Sequence, residues 1–326
     1  MIKDSFGRIH DYLRISLTDV CNYRCFYCMP EEEYDFTPSP KLMQAEEIMT
    51  LARMFVDMGV KKIRLTGGEP LVRKDAAKII HSLSELPVLL TITTNGSRIQ
   101  EFMPELQKAG IRSVNVSLDT LNSKKFKFIT RRDQFDLVMS NIQLLIRNNF
   151  HVKINVVVTR GLNESEIIDF IAWTRDLPVH IRFIEFMPFS GNNWSSNQVF
   201  TWEQMLEVIR ESYNYQGLED ELNETAKKYC IPGHEGTFAV ISTMSAPFCG
   251  TCNRMRLTAD GKMKNCLFSN NETDLLTALR KGEDMIPLVK RCIGKKEAAL
   301  GGQFTDRFEN LQPNRIQNRS MISIGG

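Results

Sequence analysis

The segment KIRLTGGE, residues 62–69, carries the local pattern from which the fold can be predicted. A short run of apolar and charged residues ends in two glycines, as expected for a strand that stops at a turn. Similar runs begin near residues 13, 89, 113, 152 and 180, and helical periodicity fills the intervals. This repeated βα unit predicts an α/β fold with a parallel sheet, wrapped into an incomplete (β/α)6 TIM-like barrel.

The barrel pattern fades near Tyr213, where a polar connection begins. A composition change of this kind is typical of a boundary between structural units. We therefore expect a partial barrel over residues 1–215. A smaller C-terminal region is expected over residues 216–326.

The charges nearly cancel, with 41 Lys and Arg against 39 Asp and Glu. Such a balance gives no overall basic field that would favour nucleic acid or an anionic membrane. No apolar run approaches the ~18 residues of a membrane span, and the first residues show neither a signal peptide nor a transit peptide pattern. We therefore expect a cytoplasmic protein.

The chain contains eight cysteines. Cytosolic thiols are kept reduced, so metal or redox chemistry explains them better than a disulfide framework. Six form two triplets, Cys21, Cys25 and Cys28, then Cys249, Cys252 and Cys266. Cys230 and Cys292 stand alone, and no role is assigned to them.

Three thiolates with no fourth suit an iron-sulfur cluster that leaves one iron open to a small molecule. A structural zinc site normally closes with four protein ligands. His10 lies upstream of the first triplet and His234 upstream of the second. A Cys3His zinc site therefore remains an alternative at this stage.

Four of the predicted strands each contain a cation, namely Arg14, Arg64, Lys153 and Arg182. A strand of a parallel sheet is normally apolar, and an unpaired buried charge costs several kcal/mol. Ion pairs or solvent-exposed strand ends could explain any one of them. Together they favour a cavity that receives an anionic substrate.

Polar residues follow several strands, and the carboxyl ends of parallel strands form the edge where α/β folds bind ligands. These residues are Thr66 to Glu69, Thr94, Asn95, Ser117, Asp119, Glu185 and Met187. Turn chemistry alone could explain each of them. Their coincidence at one edge favours a binding site.

The second triplet continues into a predicted β-hairpin with its turn at Asp260 and Gly261. Alternation along the strand places Arg254 and Arg256 on one face. Guanidinium groups match phosphate oxygens, so this pair predicts an anion clamp beside the second triplet. Solvated surface arginines are the alternative.

The first triplet, CNYRCFYC at residues 21–28, resembles the CxxxCxxC signature of radical S-adenosylmethionine (SAM) proteins, and GGEP at residues 67–70 strengthens the match. From about Asp4 to Gly326 the chain is similar to the GTP 3',8-cyclases, the molybdenum cofactor biosynthesis protein A family. The similarity includes FCGTCNRMRLTADGKMKNCLF and the terminal ISIGG. The resemblance implies a radical SAM lyase with two 4Fe-4S clusters, one held by each triplet.

The implied reaction converts GTP to (8S)-3',8-cyclo-7,8-dihydroguanosine 5'-triphosphate in the first step of molybdenum cofactor biosynthesis. A 5'-deoxyadenosyl radical from SAM abstracts ribose H3', and C3' then attacks C8 of guanine. The implied partners are GTP, an electron donor and a downstream cyclic pyranopterin monophosphate synthase. A homodimer is compatible with the family, whereas nucleic acid and membrane are not expected.

The resemblance also implies a set of site residues. SAM would contact Tyr27, Gly68, Ser117 and Met187. GTP would contact Arg14, Arg64, Thr94, Lys153, Arg254, Met255 and Arg256, with Arg182 near them. The catalytic group would comprise Arg254, Arg256, Gly325 and Gly326, since the family's tail reaches the active site. The alternatives are a radical SAM peptide maturase with an auxiliary cluster and a non-catalytic zinc or anion-binding protein.

Overall fold

The computed structural model describes residues 1–30, 34–219, 223–304, 307–312 and 316–325. Its strands are β1 (Tyr12–Ser16), β2 (Lys62–Thr66), β3 (Leu89–Thr94), β4 (Ser113–Ser117), β5 (His151–Val158), β6 (His180–Glu185), β7 (Gln216–Gly217), β8 (Lys227–Cys230), β9 (Thr237–Ile241), β10 (Arg254–Leu257), β11 (Lys262–Lys264) and β12 (Thr273–Asp274). Its helices are α1 (Ala45–Asp57), α2 (Ala76–Ser84), α3 (Ile99–Lys108), α4 (Ser123–Thr130), α5 (Phe135–Arg147), α6 (Ile167–Trp173), α7 (Trp202–Ser212), α8 (Leu275–Arg280), α9 (Ile286–Gly294) and α10 (Met321–Ile324).

These strands form one mixed sheet in the order β12-β11-β10-β1-β2-β3-β4-β5-β6-β9-β8-β7. Neighbours from β10 through β1 to β6 and on to β9 are parallel, and the outer strands are antiparallel. Over the described residues the sheet does not close, which confirms the predicted incomplete barrel. Strands from both sides of the predicted boundary at residue 215 belong to this one sheet. The division into two domains stays a prediction.

The helices cover the outer face of the sheet through one apolar stripe each. In α1 the buried positions Ala45, Ile48, Leu51, Ala52 and Phe55 recur at helical spacing. The helix begins with a capping box, in which the backbone N–H of Gln44 donates to Glu47 at 2.7 Å. Among the described helices, none has the length and apolarity needed to span a lipid bilayer.

Strand β5 shows how the sheet separates an apolar face from a polar one. Val152, Ile154, Val156 and Val158 are buried in the core beneath the helices. The alternate residues Lys153, Asn155 and Val157 line a cavity on the inner face. Because side chains alternate along a strand, each strand can pack its outer face while its inner face remains polar. The charges within the predicted strands therefore lie on the cavity side.

Glu185, the last residue of β6, joins three segments through one fully buried carboxylate. It accepts hydrogen bonds from the backbone N–H groups of Trp202 at 2.8 Å, Met244 at 2.6 Å and Ser245 at 3.0 Å. The sequence placed Glu185 at the ligand-binding edge. In the structure its carboxylate instead fixes the start of α7 and the segment that follows β9.

Replacing Glu185 with alanine should lower the free energy of unfolding by about 2–4 kcal/mol, because buried N–H groups lose their acceptor. The measurement is the urea unfolding curve followed by circular dichroism. The matched control, Glu203→Ala in the exposed first turn of α7, should change stability by less than about 0.5 kcal/mol. Equal effects of the two substitutions would contradict this role of Glu185.

Candidate active site

A cavity of about 650 Å³ lies on the inner face of the sheet and is lined by both cysteine triplets. Its lining includes most of the predicted site residues. These are Arg14, Tyr27, Arg64, Gly68, Thr94, Ser117, Lys153, Arg182, Met187, Arg254 and Arg256, together with Cys21, Cys25, Cys28, Cys249, Cys252 and Cys266. Residues that are up to 252 positions apart in sequence thus meet in one place.

Among the described residues, two predicted site residues, Met255 and Gly325, are not part of this lining. The side chain of Met255 is fully buried in the core, so its predicted GTP contact stays a prediction that only its backbone could fulfil. Gly325 reaches the cavity wall, because its carbonyl accepts a 2.6 Å hydrogen bond from Nη1 of Arg256. Gly326 lies outside the described residues.

The loop that carries the first triplet is fixed by backbone contacts. Its N–H groups at Arg24 and Phe26 donate to the carbonyls of Thr130 and Ile129, at 3.0 and 3.1 Å. A Cβ atom on Gly68 would lie 2.5 Å from the carbonyl oxygen of Val20. The glycine after β2 therefore lets the chain entering the cysteine loop pack directly against the end of the strand.

The thiols of the first triplet lie close enough to affect one another's ionisation. Burial raises the pKa of Cys25 well above its ordinary value, and the nearby Cys28 and Cys21 raise it further. Burial also raises the pKa of Cys21 to about 11. Three thiolates could coexist here only beside a compensating positive centre, which is the condition that bound metal provides.

The donor set of the first triplet fits an iron-sulfur cluster. Within the described ranges no three His, Cys, Asp or Glu side chains group as ligands of one ion. Tetrahedral zinc, with Zn–S bonds of about 2.3 Å, would require sulfur atoms roughly 3.8 Å apart. Three cysteines that line one cavity are the donor set that an iron-sulfur cluster of the radical SAM type uses.

The second triplet is held by residues from both ends of the chain. Nη1 of Arg8 donates to the carbonyl of Cys249 at 2.8 Å, and Nζ of Lys296 donates to Sγ of Cys252 at 3.4 Å. Burial raises the pKa of Cys252, but Arg254 and Lys296 outweigh it and lower the pKa to about 6. This environment stabilises a thiolate, the form that binds metal.

The two histidines considered as zinc ligands have other partners. Nε2 of His10 lies 3.0 Å from Oδ2 of Asp4, and burial lowers the pKa of His10 to about 4. Nδ1 of His234 lies 2.8 Å from Oγ1 of Thr174. Neither histidine lines the cavity that contains the triplets. The geometry therefore does not support a Cys3His site.

Five cations, each the third residue of its strand, line the cavity: Arg14, Arg64, Lys153, Arg182 and Arg256. We call them the cation layer. Arg14 is opposite both Arg64 and Arg256 in the sheet register. Over the described ranges, Arg64, Lys153, Arg182 and Arg256 form no salt bridge with a carboxylate within 4.0 Å. The layer therefore presents concentrated positive charge to the cavity.

Neutral groups hold the cation layer in position. Nε of Arg182 donates to Oδ1 of Asn155 at 2.9 Å, and Nη1 of Arg64 donates to the carbonyl of Ile92 at 3.2 Å. Burial, followed by the charges of Arg182 and Arg64, lowers the pKa of Lys153 to about 8. Contacts of this kind orient the cations without neutralising them, which favours an anionic ligand.

Sequence reasoning missed several cavity residues. Tyr12, Asn115 and Asn155 line the cavity, and Lys296 contacts the second triplet. Burial raises the pKa of Tyr12, but Arg64 and Arg14 outweigh it and lower the pKa to about 7. The polar residues that alternate with valine and isoleucine in β4 and β5 were the signal that could have identified the two asparagines.

The C-terminal tail is anchored to the hairpin formed by β10 and β11. Arg319 donates to Asp260 through Nη1 at 2.9 Å and Nη2 at 2.8 Å, and its Nε lies 2.6 Å from Oε1 of Glu272. Arg256 of the same hairpin donates to the carbonyl of Gly325. One hairpin therefore contacts both the base of the tail and its end.

Gly325 has a φ of 82°, a conformation that favours glycine. A Cβ atom there would lie 2.7 Å from Oγ1 of Thr66 and 2.8 Å from Cβ of Ser16. Both contacts are too close for a side chain. The tail can reach this position only because the residue is glycine.

Two family models match the chain in succession. The Radical SAM superfamily model matches residues 15–174, and the Molybdenum Cofactor Synthesis C model matches residues 179–300. GTP 3',8-cyclase of Rhodopirellula baltica is 41% identical over 337 residues, with 100% of this chain and 92% of that protein covered. The chain belongs to the GTP 3',8-cyclase family. Mitochondrial GTP 3',8-cyclase of Arabidopsis thaliana, another relative in this family, is 45% identical and is covered over 84% of its length.

Other members of the GTP 3',8-cyclase family are longer. Molybdenum cofactor biosynthesis protein 1 of Bos taurus is 48% identical over 99% of this chain, which spans 51% of that protein. Among solved structures, Streptococcus suis SuiB bound to S-adenosylmethionine has a TM-score of 0.60 at 16% identity, covering 95% of this chain and 72% of that one. This likeness confirms the fold class, and the relatives confirm the predicted family.

Replacing Arg319 with glutamine should loosen the tail, because two carboxylate contacts are lost. Backbone amides of Ser323 and Ile324, which both donate to the carbonyl of Ser320, should exchange hydrogen about tenfold faster or more, as expected when local opening becomes easier. Hydrogen exchange measured by mass spectrometry tests this. The control Arg291→Gln, at an exposed position of α9, should leave tail exchange unchanged. Wild-type exchange rates in Arg319→Gln would show that the tail is anchored elsewhere.

Proposed function

We propose that this chain is a radical SAM lyase that converts GTP into 3',8-cyclo-7,8-dihydroguanosine 5'-triphosphate in the first step of molybdenum cofactor biosynthesis. The observation that carries the proposal is the cation layer, which shares one cavity with both cysteine triplets. A nucleoside triphosphate carries a dense negative charge that complements these cations. Membership of the GTP 3',8-cyclase family supports the same substrate.

Each triplet would hold one 4Fe-4S cluster. The first triplet is Cys21, Cys25 and Cys28, and the second is Cys249, Cys252 and Cys266. When bound, the first cluster would supply the electron for reductive cleavage of SAM, and the second would offer a Lewis-acidic iron for the guanine end of GTP. Tyr27, Gly68, Ser117 and Met187 line the same cavity and are the proposed SAM contacts.

The protein's first task is to hold the triphosphate. Arg14, Arg64, Lys153, Arg182 and Arg256 would contact it together with Arg254. Arginine forks can bind phosphate oxygens in pairs, whereas the lysine ammonium acts as a compact point charge. Because backbone and amide groups already orient the layer, little side-chain freedom remains to be lost on binding. Thr94, whose hydroxyl donates to Glu69 at 2.8 Å, is a further proposed GTP contact.

The second task is to position the ribose and exclude water. Val157, Ile184 and Met187 provide apolar surface on the cavity lining. Apolar groups offer no O–H or N–H bond and displace water from the reacting carbon. With the triphosphate fixed by the cation layer, the ribose is tethered on one side of this surface. Orientation of this kind supplies much of the rate enhancement in reactions between two bound molecules.

The third task falls to the tail. Arg256 binds the carbonyl of Gly325, and we assign Arg254, Arg256, Gly325 and Gly326 to the catalytic group. Of these, Gly326 lies outside the described residues. The tail would close the cavity beside the second triplet while its glycines keep the backbone free of clashes.

The remaining expectations belong to this proposal. They are an electron donor, a downstream cyclic pyranopterin monophosphate synthase, a cytoplasmic location and a homodimer. The alternative of a radical SAM peptide maturase is less well supported, because a peptide lacks the dense negative charge that the cation layer accommodates.

The proposal is tested by anaerobic incubation of reconstituted protein with GTP, SAM and dithionite. We expect 5'-deoxyadenosine together with the cyclised nucleotide, and about eight iron atoms per chain if both cubane clusters form. A Cys21→Ser variant, which loses a proposed ligand of the first cluster, should form neither product. Deoxyadenosine without cyclised GTP in the wild type would contradict the proposed substrate.

The affinity for GTP should depend on the protonation of Lys153. Its ammonium form attracts the triphosphate, so binding is strongest below its pKa of about 8 and weakens as the pH rises. From pH 7.5 to pH 9 the wild type should lose GTP affinity by a factor about five to ten times larger than the factor by which Lys153→Met loses it. Tyr12 also titrates in this cavity, but it remains in both proteins.

Equilibrium dialysis with GTP at a series of pH values provides this measurement, with SAM as the control ligand. SAM affinity should be the same in wild type and Lys153→Met, because the lysine is assigned to the triphosphate of GTP and not to SAM. Parallel pH profiles for GTP in the two proteins would remove Lys153 from the site.

A further inference from the structure

Asn115 carries a hydrogen-bond acceptor that no described residue uses. It is the third residue of β4, is 3% exposed, and lines the cavity. Its Oδ1 is buried and has no hydrogen-bond partner among the described residues. A buried amide without a partner is unfavourable, so such a group in a cavity indicates a ligand that completes its hydrogen bond.

The neighbouring strand contains a second asparagine that serves as an internal comparison. Asn155 also lines the cavity, but its Oδ1 accepts a hydrogen bond from Nε of Arg182 at 2.9 Å. That amide orients a member of the cation layer. Lys153 is the register partner of Asn115 in β5, yet no hydrogen bond joins their side chains in the described chain. The two asparagines therefore have different tasks.

The position of Asn115 indicates which part of a ligand it faces. Lys153, opposite Asn115 on the adjacent strand β5, belongs to the cation layer, which is assigned to the triphosphate. Ser117 follows two residues later on the same face of β4, about 6.6 Å towards the carboxyl ends of the strands, where the first cysteine triplet follows β1. It is a proposed SAM contact. Asn115 thus lies between the two proposed binding regions, where a ribose would stand.

We infer that the side-chain carbonyl of Asn115 accepts a hydrogen bond from a ribose hydroxyl of a bound nucleoside. This inference rests on the proposed function. Ionised phosphate oxygens and a thioether or sulfonium sulfur carry no hydrogen that could be donated to Oδ1. The 2' and 3' hydroxyls of a ribose can donate one. GTP is the favoured source because its phosphates are assigned to the adjacent Lys153. The ribose of SAM carries the same chemistry.

A buried acceptor of this kind acts as a specificity determinant. A site that hydrogen-bonds a substrate hydroxyl rejects the analogue lacking it, because the buried acceptor then stays unpaired. The protein should therefore bind GTP more tightly than 2'-deoxy-GTP or 3'-deoxy-GTP, whichever lacks the contacted hydroxyl. Removing the acceptor should abolish this preference, because it weakens the binding of GTP and leaves the binding of the deoxy analogue unchanged.

The experiment measures dissociation constants of the cluster-reconstituted wild type, Asn115→Leu and Asn115→Asp for GTP, both deoxy analogues and SAM. In the wild type, GTP should bind about tenfold or more tightly than one deoxy analogue. In Asn115→Leu that ratio should approach one, with the affinity for this analogue unchanged. Asn115→Asp keeps an acceptor in place and should retain the preference for GTP.

The outcomes distinguish GTP from SAM as the donor of the hydroxyl, and they distinguish the role of Asn115 from the proposed function. Weaker SAM binding by Asn115→Leu, with unchanged GTP binding, would assign the hydroxyl to SAM and support the acceptor role. Equal losses for GTP and both deoxy analogues, with SAM unaffected, would overturn it. Equal wild-type affinities for the three nucleotides would overturn the GTP contact without any variant. A wild type that binds SAM but no GTP would refute the proposed function, and the SAM measurements would still test Asn115.

Discussion

The candidate active site depends on positive charges that adjacent strands hold close together on the inner face of the sheet. Arg14, Arg64 and Arg256 stand side by side on adjacent strands, so their mutual repulsion opposes folding. The apolar outer face of the same strands offsets this repulsion, because alternate residues such as Leu13 and Ile63 are fully buried beneath the helices. The sheet thus stabilises an arrangement that is unfavourable until an anion binds, as is common at functional sites.

Local patterns explain why much of the architecture could be predicted from the sequence. Alternation within a strand and periodicity within a helix extend over a few residues, and they identified β1 to β6 and the hairpin at Asp260 and Gly261. The same alternation marked Arg14 and Lys153 as unusual. By contrast, the pairing of β10 with β1 joins residues more than 200 positions apart. No local pattern specifies that contact, so the continuation of the sheet into the C-terminal region was not predicted.

Geometry decides between residues that look equivalent in the sequence. Asn115 and Asn155 both alternate with apolar neighbours, but within the described part of the chain a protein donor reaches the side-chain acceptor of Asn155 and not that of Asn115. Glu185 and Asp119 both lie at or just past the end of a strand, yet only Asp119 of these two lines the cavity. The carboxylate of Glu185 accepts from the backbone amides of Trp202 and Met244, whereas Asp119 accepts from the hydroxyl of Tyr27 as well as from the backbone amide of Val157. Lys296 gave no sequence signal, because its role depends on a contact with a cysteine 44 positions earlier.

The parallel pairing of β1 with β10 also has a consequence for synthesis of the chain. Strand β1 can pair with β2 early, but its other neighbour emerges from the ribosome about 240 residues later. At ordinary elongation rates this delay is roughly 12 to 48 s. During that interval the backbone N–H and C=O groups along one side of the nascent sheet have no strand to bind, which is a known route to intermolecular association. Slow translation or a low supply of chaperone should therefore affect this protein more than one whose neighbouring strands follow one another in sequence.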